Sequence, residues 1–235
     1  MSSHRVLKGK RIWITGASAG IGKALVQALC DHEAVIIASS RSADNLEELR
    51  KTCQYPNLHL YPFDVTDQAN YPRLASYFVE QHGGLDMMIL NAGDCIYIDF
   101  PEFKSDVFKY MMDVNFMSQV YAVEALLPLL KQSKGHIACM ASLAAYRGLP
   151  RSEAYGASKA AIINFAQALQ VDLEPYNVSV SIINPGFVKT PLTDKNDFPM
   201  PGAVDADYAA SVIIKELKEG KRAVSYTHLR AHETG

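Results

Sequence analysis

Residues Arg11 to Thr15 (RIWIT) form a short β-rich run that stops at Gly16. The stretch GASAGIG follows, and Lys23 to Cys30 continues with Leu25, Val26 and Leu29 at helical spacing. A strand, a glycine turn and a helix in that order set a narrow choice of folds, because this is the context a phosphate-binding loop requires. Gly16 lets the chain turn tightly, Gly20 lets backbone approach a pyrophosphate, and Gly22 lets the helix lie close to the sheet. A bound anion then sits at the positive end of the helix. The spacing is G-x-x-x-G-x-G rather than G-x-G-x-x-G, and by itself such a turn also serves purely structural ends.

The same alternation runs down the chain. Ala34 to Ser39 (AVIIAS) reads as a buried parallel strand, followed by a helix over Asn45 to Cys53. NLHLYPFDV is a third strand ending at Asp64 and Val65, and a helix over Asp67 to Gln81 follows, capped by Thr66 or Asp67. Leu85 to Leu90 is a fourth strand running into Asn91, Ala92 and Gly93, small residues that leave room for a ligand. Asp106 to Lys131 has an apolar pattern spread over more than one face, which marks a buried helix, with Asn115 its polar exception. His136 to Ala141 is a fifth strand; the next helix ends near Glu174 and Pro175. Val178 to Asn184 is a sixth strand, closed by Pro185 and Gly186, and Asp205 to Glu219 is a last helix with Gly220 as C-cap. About six strand-helix repeats predict an α/β fold: a doubly wound parallel sheet, Rossmann-like, in a single three-layer α/β/α domain. The ligand belongs at the carboxyl ends of the strands.

Charge and cysteine usage narrow the partners. A net charge of −2 without a basic run argues against nucleic acid and anionic membranes. Cys30, Cys53, Cys95 and Cys139 are scattered, as expected of reduced thiols in a cytoplasmic protein. The first residues lack an apolar h-region, so no signal peptide is expected, and no stretch is long and apolar enough to span a membrane.

Two positions carry chemistry on their own terms. Tyr155 and Lys159, in SEAYGASKAAIIN, lie four apart on a helix and share one face. A free tyrosine has a pKa of roughly 10. An ammonium beside the phenol is expected to lower it toward the range of a working general acid/base. Ser142 lies upstream at the end of the fifth strand. After the second strand the chain reads Ser39-Ser40-Arg41, with no acidic residue before Asp44. A guanidinium suits a ribose 2′-phosphate better than a hydroxyl, so Arg41 argues for NADP over NAD; the alternative is a solvated arginine at a helix start. Taken singly, Asn115 also reads as a packing hydrogen bond and Ser142 as a small turn residue.

Thr15-Gly16-Ala17-Ser18-Ala19-Gly20-Ile21-Gly22, Asp64-Val65, Asn91-Ala92-Gly93, Asn115, Ser142, Tyr155-x-x-x-Lys159, and Asn184-Pro185-Gly186 with Thr190 occur in one order over nearly the whole chain. This ordered set resembles the short-chain dehydrogenase/reductase family, in its single-domain branch. The resemblance implies that Tyr155 is the general acid in carbonyl reduction and the base in alcohol oxidation. It implies that Lys159 binds the nicotinamide ribose and lowers the tyrosine pKa, that Ser142 polarises the substrate carbonyl, and that Asn115 holds a water relaying protons to Lys159. For the cofactor it implies the loop Gly16 to Gly22, with Ser18, Ala19 and Ile21. Asp64 and Val65 would contact adenine; Asn91, Ala92 and Gly93 would line the cofactor path. Pro185, Gly186, Val188 and Thr190 would sit on the nicotinamide and pyrophosphate side. Ser40 and Arg41 resemble the NADP-preferring variants, with NAD(H) the other cofactor the family uses. A homodimer or homotetramer through the Asn115 and Tyr155 helices is implied as well.

The segments expected to face the nicotinamide offer Ile96, Leu143, Tyr146, Leu149, Phe187, Leu192, Phe198 and Met200. They point to an apolar carbonyl or secondary-alcohol substrate, or else simply pack the lid. Phe187 to Val204, with three prolines, is the expected mobile flap. A non-catalytic NADP-binding redox sensor and an NAD-dependent epimerase or dehydratase are the rival readings. The sensor has no need of an acid, and the second usually requires a longer chain. From Val224 the sequence VSYTHLRAHETG resembles translated sequencing-adapter read-through, so the domain is expected over residues 1–223 with a non-native tail over 224–235. Membrane association would then require a native C-terminus not seen here. His228 and His232 mimic a metal pair in that tail, and no metal site is expected.

Overall fold

The computed structural model describes residues 6–226. Among the described residues there are nine strands and seven α-helices: β1 Arg11–Thr15, α1 Gly20–Cys30, β2 Val35–Ser39, α2 Ala43–Cys53, β3 Leu58–Leu60, α3 Tyr71–His82 and β4 Met87–Leu90. Then follow α4 Ser105–Met111, α5 Ser118–Ser133, β5 His136–Met140, α6 Glu153–Asp172, β6 Ser179–Pro185, β7 Val188–Lys189, β8 Val204–Asp205, α7 Ala206–Lys218 and β9 Ala223–Tyr226. Seven strands form one parallel sheet in the order β3-β2-β1-β4-β5-β6-β9; β7 and β8 pair separately.

Alternation along each strand builds two cores. Ile12 and Ile14 of β1 pack with Leu25 and Leu29 of α1, Leu46 and Leu49 of α2, and Ile213 and Leu217 of α7. Trp13, between them, faces the other way, onto Leu74 and Phe78 of α3, Leu126 of α5 and Ile162 of α6. Both faces of the sheet are therefore covered, which is why its strands read as continuous apolar runs. The Trp13 indole donates to the Ser39 hydroxyl at 2.9 Å, so the one polar side chain at the buried end of β2 is satisfied.

Local chemistry sets the element ends. Ser42 caps α2 by accepting from the Asn45 N–H at 3.2 Å. Gly83, at φ +68°, ends α3 in the left-handed conformation. The expected helix over Asp67 to Gln81 begins late, at Tyr71, because Gln68–Asn70 takes a 3₁₀ turn and Pro72 suits the first helical turn. The expected helix over Asp106 to Lys131 is not uniform either: Met112–Met117 is a π-helical turn between α4 and α5, and Asn115 sits in it. The flap is anchored at both ends, Val188 pairing with Val204 and Lys189 with Asp205. The boundary expected after residue 223 falls inside β9, which pairs with β6 through Tyr226 and buries Val224 against the α7 core. His228 and His232 lie outside the described residues.

Candidate active site

The carboxyl ends of β1 and β4 are tied together by the glycine turn. Asn91 Nδ2 donates to the carbonyls of Thr15 at 3.0 Å and Gly16 at 3.2 Å, and the Ala92 N–H donates to Thr15 Oγ1 at 2.9 Å. Gly16 has φ +64°, and a Cβ there would lie 2.9 Å from the Ala92 Cα. Helix α1 starts at Gly20 with Ala19 as N-cap, no side-chain cap and no acidic residue in its first turn. Its leading N–H groups are thus left for an anion. A Cβ on Gly22 would run into the Gly16 carbonyl oxygen. Backbone cannot yield as a flexible side chain does, so Gly22→Ala is expected to lower the Tm by about 5 °C or more. Thermal melting against Gly148→Ala, whose Cβ would meet nothing within 4 Å, checks this.

At the other end of the turn, Ser40, Arg41, Ser42 and Asn45 face Asp64, Val65, Thr66 and Val114 across one cleft. Asp64 is held by Thr66, whose N–H and hydroxyl donate to its Oδ1 at 2.9 and 2.7 Å. Arg41 is exposed and lies near Tyr110, whose hydroxyl donates to Asp94 Oδ2 at 3.1 Å.

Beyond Gly93 the polar groups become buried. Asn115, fully buried, accepts from the Asp94 N–H at 2.8 Å and donates to the Asp94 carbonyl at 3.0 Å and to Ser158 Oγ at 2.9 Å. The π-helical turn rotates Asn115 onto this strand-like exchange with Asp94; such turns recur at functional sites. A Cβ on Gly93 would lie 2.8 Å from Asn115 Oδ1 and 3.3 Å from Lys159 Nζ, so only glycine lets the two groups face one space. Lys159 is 4 % exposed and donates to the Met140 carbonyl at 3.0 Å. Burial lowers its pKa to about 8.

Tyr155 lies one turn before Lys159 on α6, its ring half-exposed along the cleft wall and 5.7 Å, centroid to Nζ, from the ammonium. Enclosure of its hydroxyl pushes its pKa up to about 12, against a smaller lowering by the neighbouring Ser142. The lowering expected from Lys159 is not found: burial of the hydroxyl dominates, Ser142 rather than Lys159 opposes it, and the phenol is protonated at neutral pH.

These groups share one cleft of about 420 Å³ at the carboxyl ends of the central strands. Gly16, Ser18, Ala19, Gly20, Ile21, Ser40, Arg41, Asp64, Val65, Asn91, Ala92, Gly93, Ser142, Tyr155, Lys159, Pro185, Gly186, Val188 and Thr190 all line it. Gly22 and Asn115 lie behind its wall, the first in the turn-helix contact and the second under Gly93. Of the apolar residues expected at the nicotinamide, Leu192 lines the cleft. Ile96, Tyr146 and Leu149 point outward, with exposures of 36 %, 63 % and 44 %. Among the described residues no group of three metal-ligating side chains occurs, and no helix is long and apolar enough to cross a membrane.

The sequence model of the short chain dehydrogenase family matches residues 10–199. The chain is a short-chain dehydrogenase. It is 31 % identical over 214 residues to an uncharacterised oxidoreductase of Staphylococcus epidermidis, covering 91 % of this chain and 93 % of that one. It is 33 % identical over 217 residues to an uncharacterised oxidoreductase of Myxococcus xanthus, covering 91 % and 85 %. Among solved structures, an alcohol dehydrogenase from the archaeon Thermococcus sibiricus, complexed with 5-hydroxy-NADP, superposes with a TM-score of 0.85 at 23 % identity, covering 97 % of this chain and all of that one.

As a short-chain dehydrogenase the chain is an NAD(P)-dependent oxidoreductase acting on a small-molecule substrate. Its site holds residues that motif reading passes over. Cys95 is buried close enough to Tyr155 to influence its proton, and Tyr97 stands beside Cys95. Hydropathy favours Ile96 between them, yet extended backbone turns alternate residues to opposite sides, so an inward Cys95 and Tyr97 send Ile96 outward. Ser42, Asn45 and Thr66 line the adenosine end as loop and cap residues, for which the sequence carries only a capping signal.

Proposed function

We propose that this short-chain dehydrogenase uses NADP(H) to interconvert a carbonyl and a secondary alcohol, with an apolar substrate. The observation that carries the reading is the meeting of Ser142, Tyr155 and Lys159 on one wall, with Asn115 fixed behind Gly93. The cleft fits the cofactor: uncapped N–H groups at α1 for the pyrophosphate, Arg41 and Ser40 for a 2′-phosphate, and Lys159 beside Gly93 for a ribose. When bound, the nicotinamide supplies the hydride chemistry. The chain supplies the proton and the electrostatics. Ser142 donates a hydrogen bond to the carbonyl oxygen, and Tyr155, protonated at neutral pH, delivers its proton there as negative charge develops. The Lys159 ammonium then stabilises the phenolate left behind, and Asn115 holds the water from which the proton is restored.

Arg41 supports NADP over NAD, and the archaeal alcohol dehydrogenase of the same fold carries a hydroxylated NADP. Leu192, which lines the cleft, supports an apolar substrate. A homodimer or homotetramer through the helices carrying Asn115 and Tyr155 belongs to the same proposal. Loss of reduced nicotinamide against a panel of apolar and charged carbonyls tests it, with NADPH and NADH in parallel. Arg41→Ala is expected to weaken NADPH about tenfold while NADH changes by less than about twofold. Equal effects on both cofactors would make Arg41 a surface arginine. Tight NADPH binding without turnover of any carbonyl would favour a redox sensor.

A further inference from the structure

Three separate segments border the substrate side of Tyr155: the run after β4 (residues 94–99), the run before α6 (143–151), and the segment 187–204. One side chain ties them together. Arg151 adopts φ +65°, and this backbone aims its guanidinium between the other two segments. Nη1 donates to both carboxylate oxygens of Asp197, at 2.7 and 3.0 Å. Nε lies 2.7 Å from Asp99 Oδ1, and Nη2 donates to Asp99 Oδ2 at 3.2 Å. The Arg151 carbonyl accepts from the Ile98 N–H at 2.9 Å, so the backbone fastens the same two runs.

Tyr97 is clamped at the centre of this arrangement. The guanidinium lies 5.4 Å from its ring centroid, Phe198 packs edge-on against it at 5.6 Å, and its hydroxyl donates to Asn196 Oδ1 at 2.6 Å. Asn196, Asp197 and Phe198 are consecutive, so three neighbouring residues of the 187–204 segment are held by Arg151 and Tyr97. Within the same segment Pro191, Leu192 and Thr193 line the cleft that Tyr155 lines. Two exposed carboxylates on one half-exposed guanidinium form an ion-pair network rather than an isolated pair.

We propose that Arg151 is a positioning residue: through Tyr97 and Asn196–Phe198 it fixes the 187–204 segment beside the Tyr155 hydroxyl and so sets productive binding of the carbonyl substrate. This rests on the reading above for the substrate, while the contact it describes is independent of turnover. Arginine is required because its planar fork reaches two carboxylates at once; lysine offers one point charge.

The experiment compares the full chain with Arg151→Gln, Arg151→Lys and Asp197→Asn. Hydrogen exchange across residues 194–200 is read first, then kinetics with NADPH and benzaldehyde as the probe carbonyl. Arg151→Gln is expected to speed exchange in 194–200 and raise KM for benzaldehyde about tenfold, with kcat and the NADPH Kd within about twofold. Arg151→Lys restores part of the protection, and Asp197→Asn moves both readouts in the same direction by less. High salt raises the KM of the unaltered chain but not of Arg151→Gln, since an exposed network is screened. Unchanged exchange at 194–200 in Arg151→Gln overturns the proposal, as does a parallel rise in the NADPH Kd, which would mean general loosening. If benzaldehyde is not turned over, the substrate reading fails, while the exchange data still decide the role of Arg151.

Discussion

Tyr155→Phe is expected to reduce NADPH-dependent carbonyl turnover by about 10³-fold while leaving NADPH affinity within about twofold. The substitution removes one oxygen and retains the ring, so the wall that α6 presents to the cleft keeps its shape. What disappears is the phenol hydroxyl that lines the cleft together with Ser142. Tyr97 does not replace it, since its hydroxyl is already committed to Asn196 Oδ1 at 2.6 Å and burial drives its pKa well up. Stopped-flow turnover with NADPH fluorescence titration on the same preparation separates the two effects. A loss below about tenfold would move the proton donor elsewhere, to Ser142 or to solvent. A matching loss of NADPH affinity would mean that the hydroxyl serves the cofactor rather than the reaction.

The parts of this site that the sequence discloses are those where backbone geometry permits one residue type. Gly16 and Gly22 sit where a Cβ would strike Ala92 or the Gly16 carbonyl, and Gly93 where it would strike Asn115, so their spacing is legible. Tyr155 and Lys159 are legible because helical period fixes their common face. The π-helical turn is not: Met112–Met117 has the composition of an ordinary buried helix, and its register follows from Asn115 meeting the Asp94 backbone, a contact 21 residues apart in the chain. Arg151 is equally silent, because its partners Asp99 and Asp197 are brought together only by the closed fold. The balance of effects on Tyr155 also escapes sequence reading. A neighbouring ammonium is visible four residues away, but the enclosure that raises the tyrosine pKa is contributed by other segments.

The geometry around Lys159 has a cost in stability that the fold retains for the chemistry. Lys159 is 4 % exposed, with the Met140 carbonyl as the hydrogen-bond acceptor of its ammonium, and among the described residues no carboxylate stands against it in an ion pair. Gln119 Nε2 also leans on that carbonyl, at 3.4 Å, so the acceptor is not left bare if the lysine is removed. A depression from 10.5 to about 8 corresponds to about 3 kcal/mol of strain in the charged form. The direction in pH follows from proton counting. Between pH 8 and 10.5 the unfolded chain holds a proton that the folded chain has released, so folded-state stability rises with pH across that window; below it the full penalty is present.

Lys159→Met is therefore expected to abolish turnover, by about 10³-fold or more, and at the same time to raise stability at neutral pH. Methionine fills the space of the lysine stem without a charge to desolvate. Set against the lost hydrogen bond to Met140, the net gain is about 2 kcal/mol, or about 5 °C in Tm. The decisive feature is how this gain changes with pH. Denaturant unfolding of both proteins without nucleotide should show the advantage of the variant in full near pH 7 and shrinking steadily from pH 8 toward 10.5, as the unaltered chain sheds its buried proton. The same titration sets the alkaline limb of carbonyl reduction near pH 8, because Lys159 loses its charge well before Tyr155 ionises at about 12. A variant less stable than the unaltered chain, by an amount that does not vary with pH, would show the ammonium to be well solvated in place. The alkaline limb would then belong to a different group.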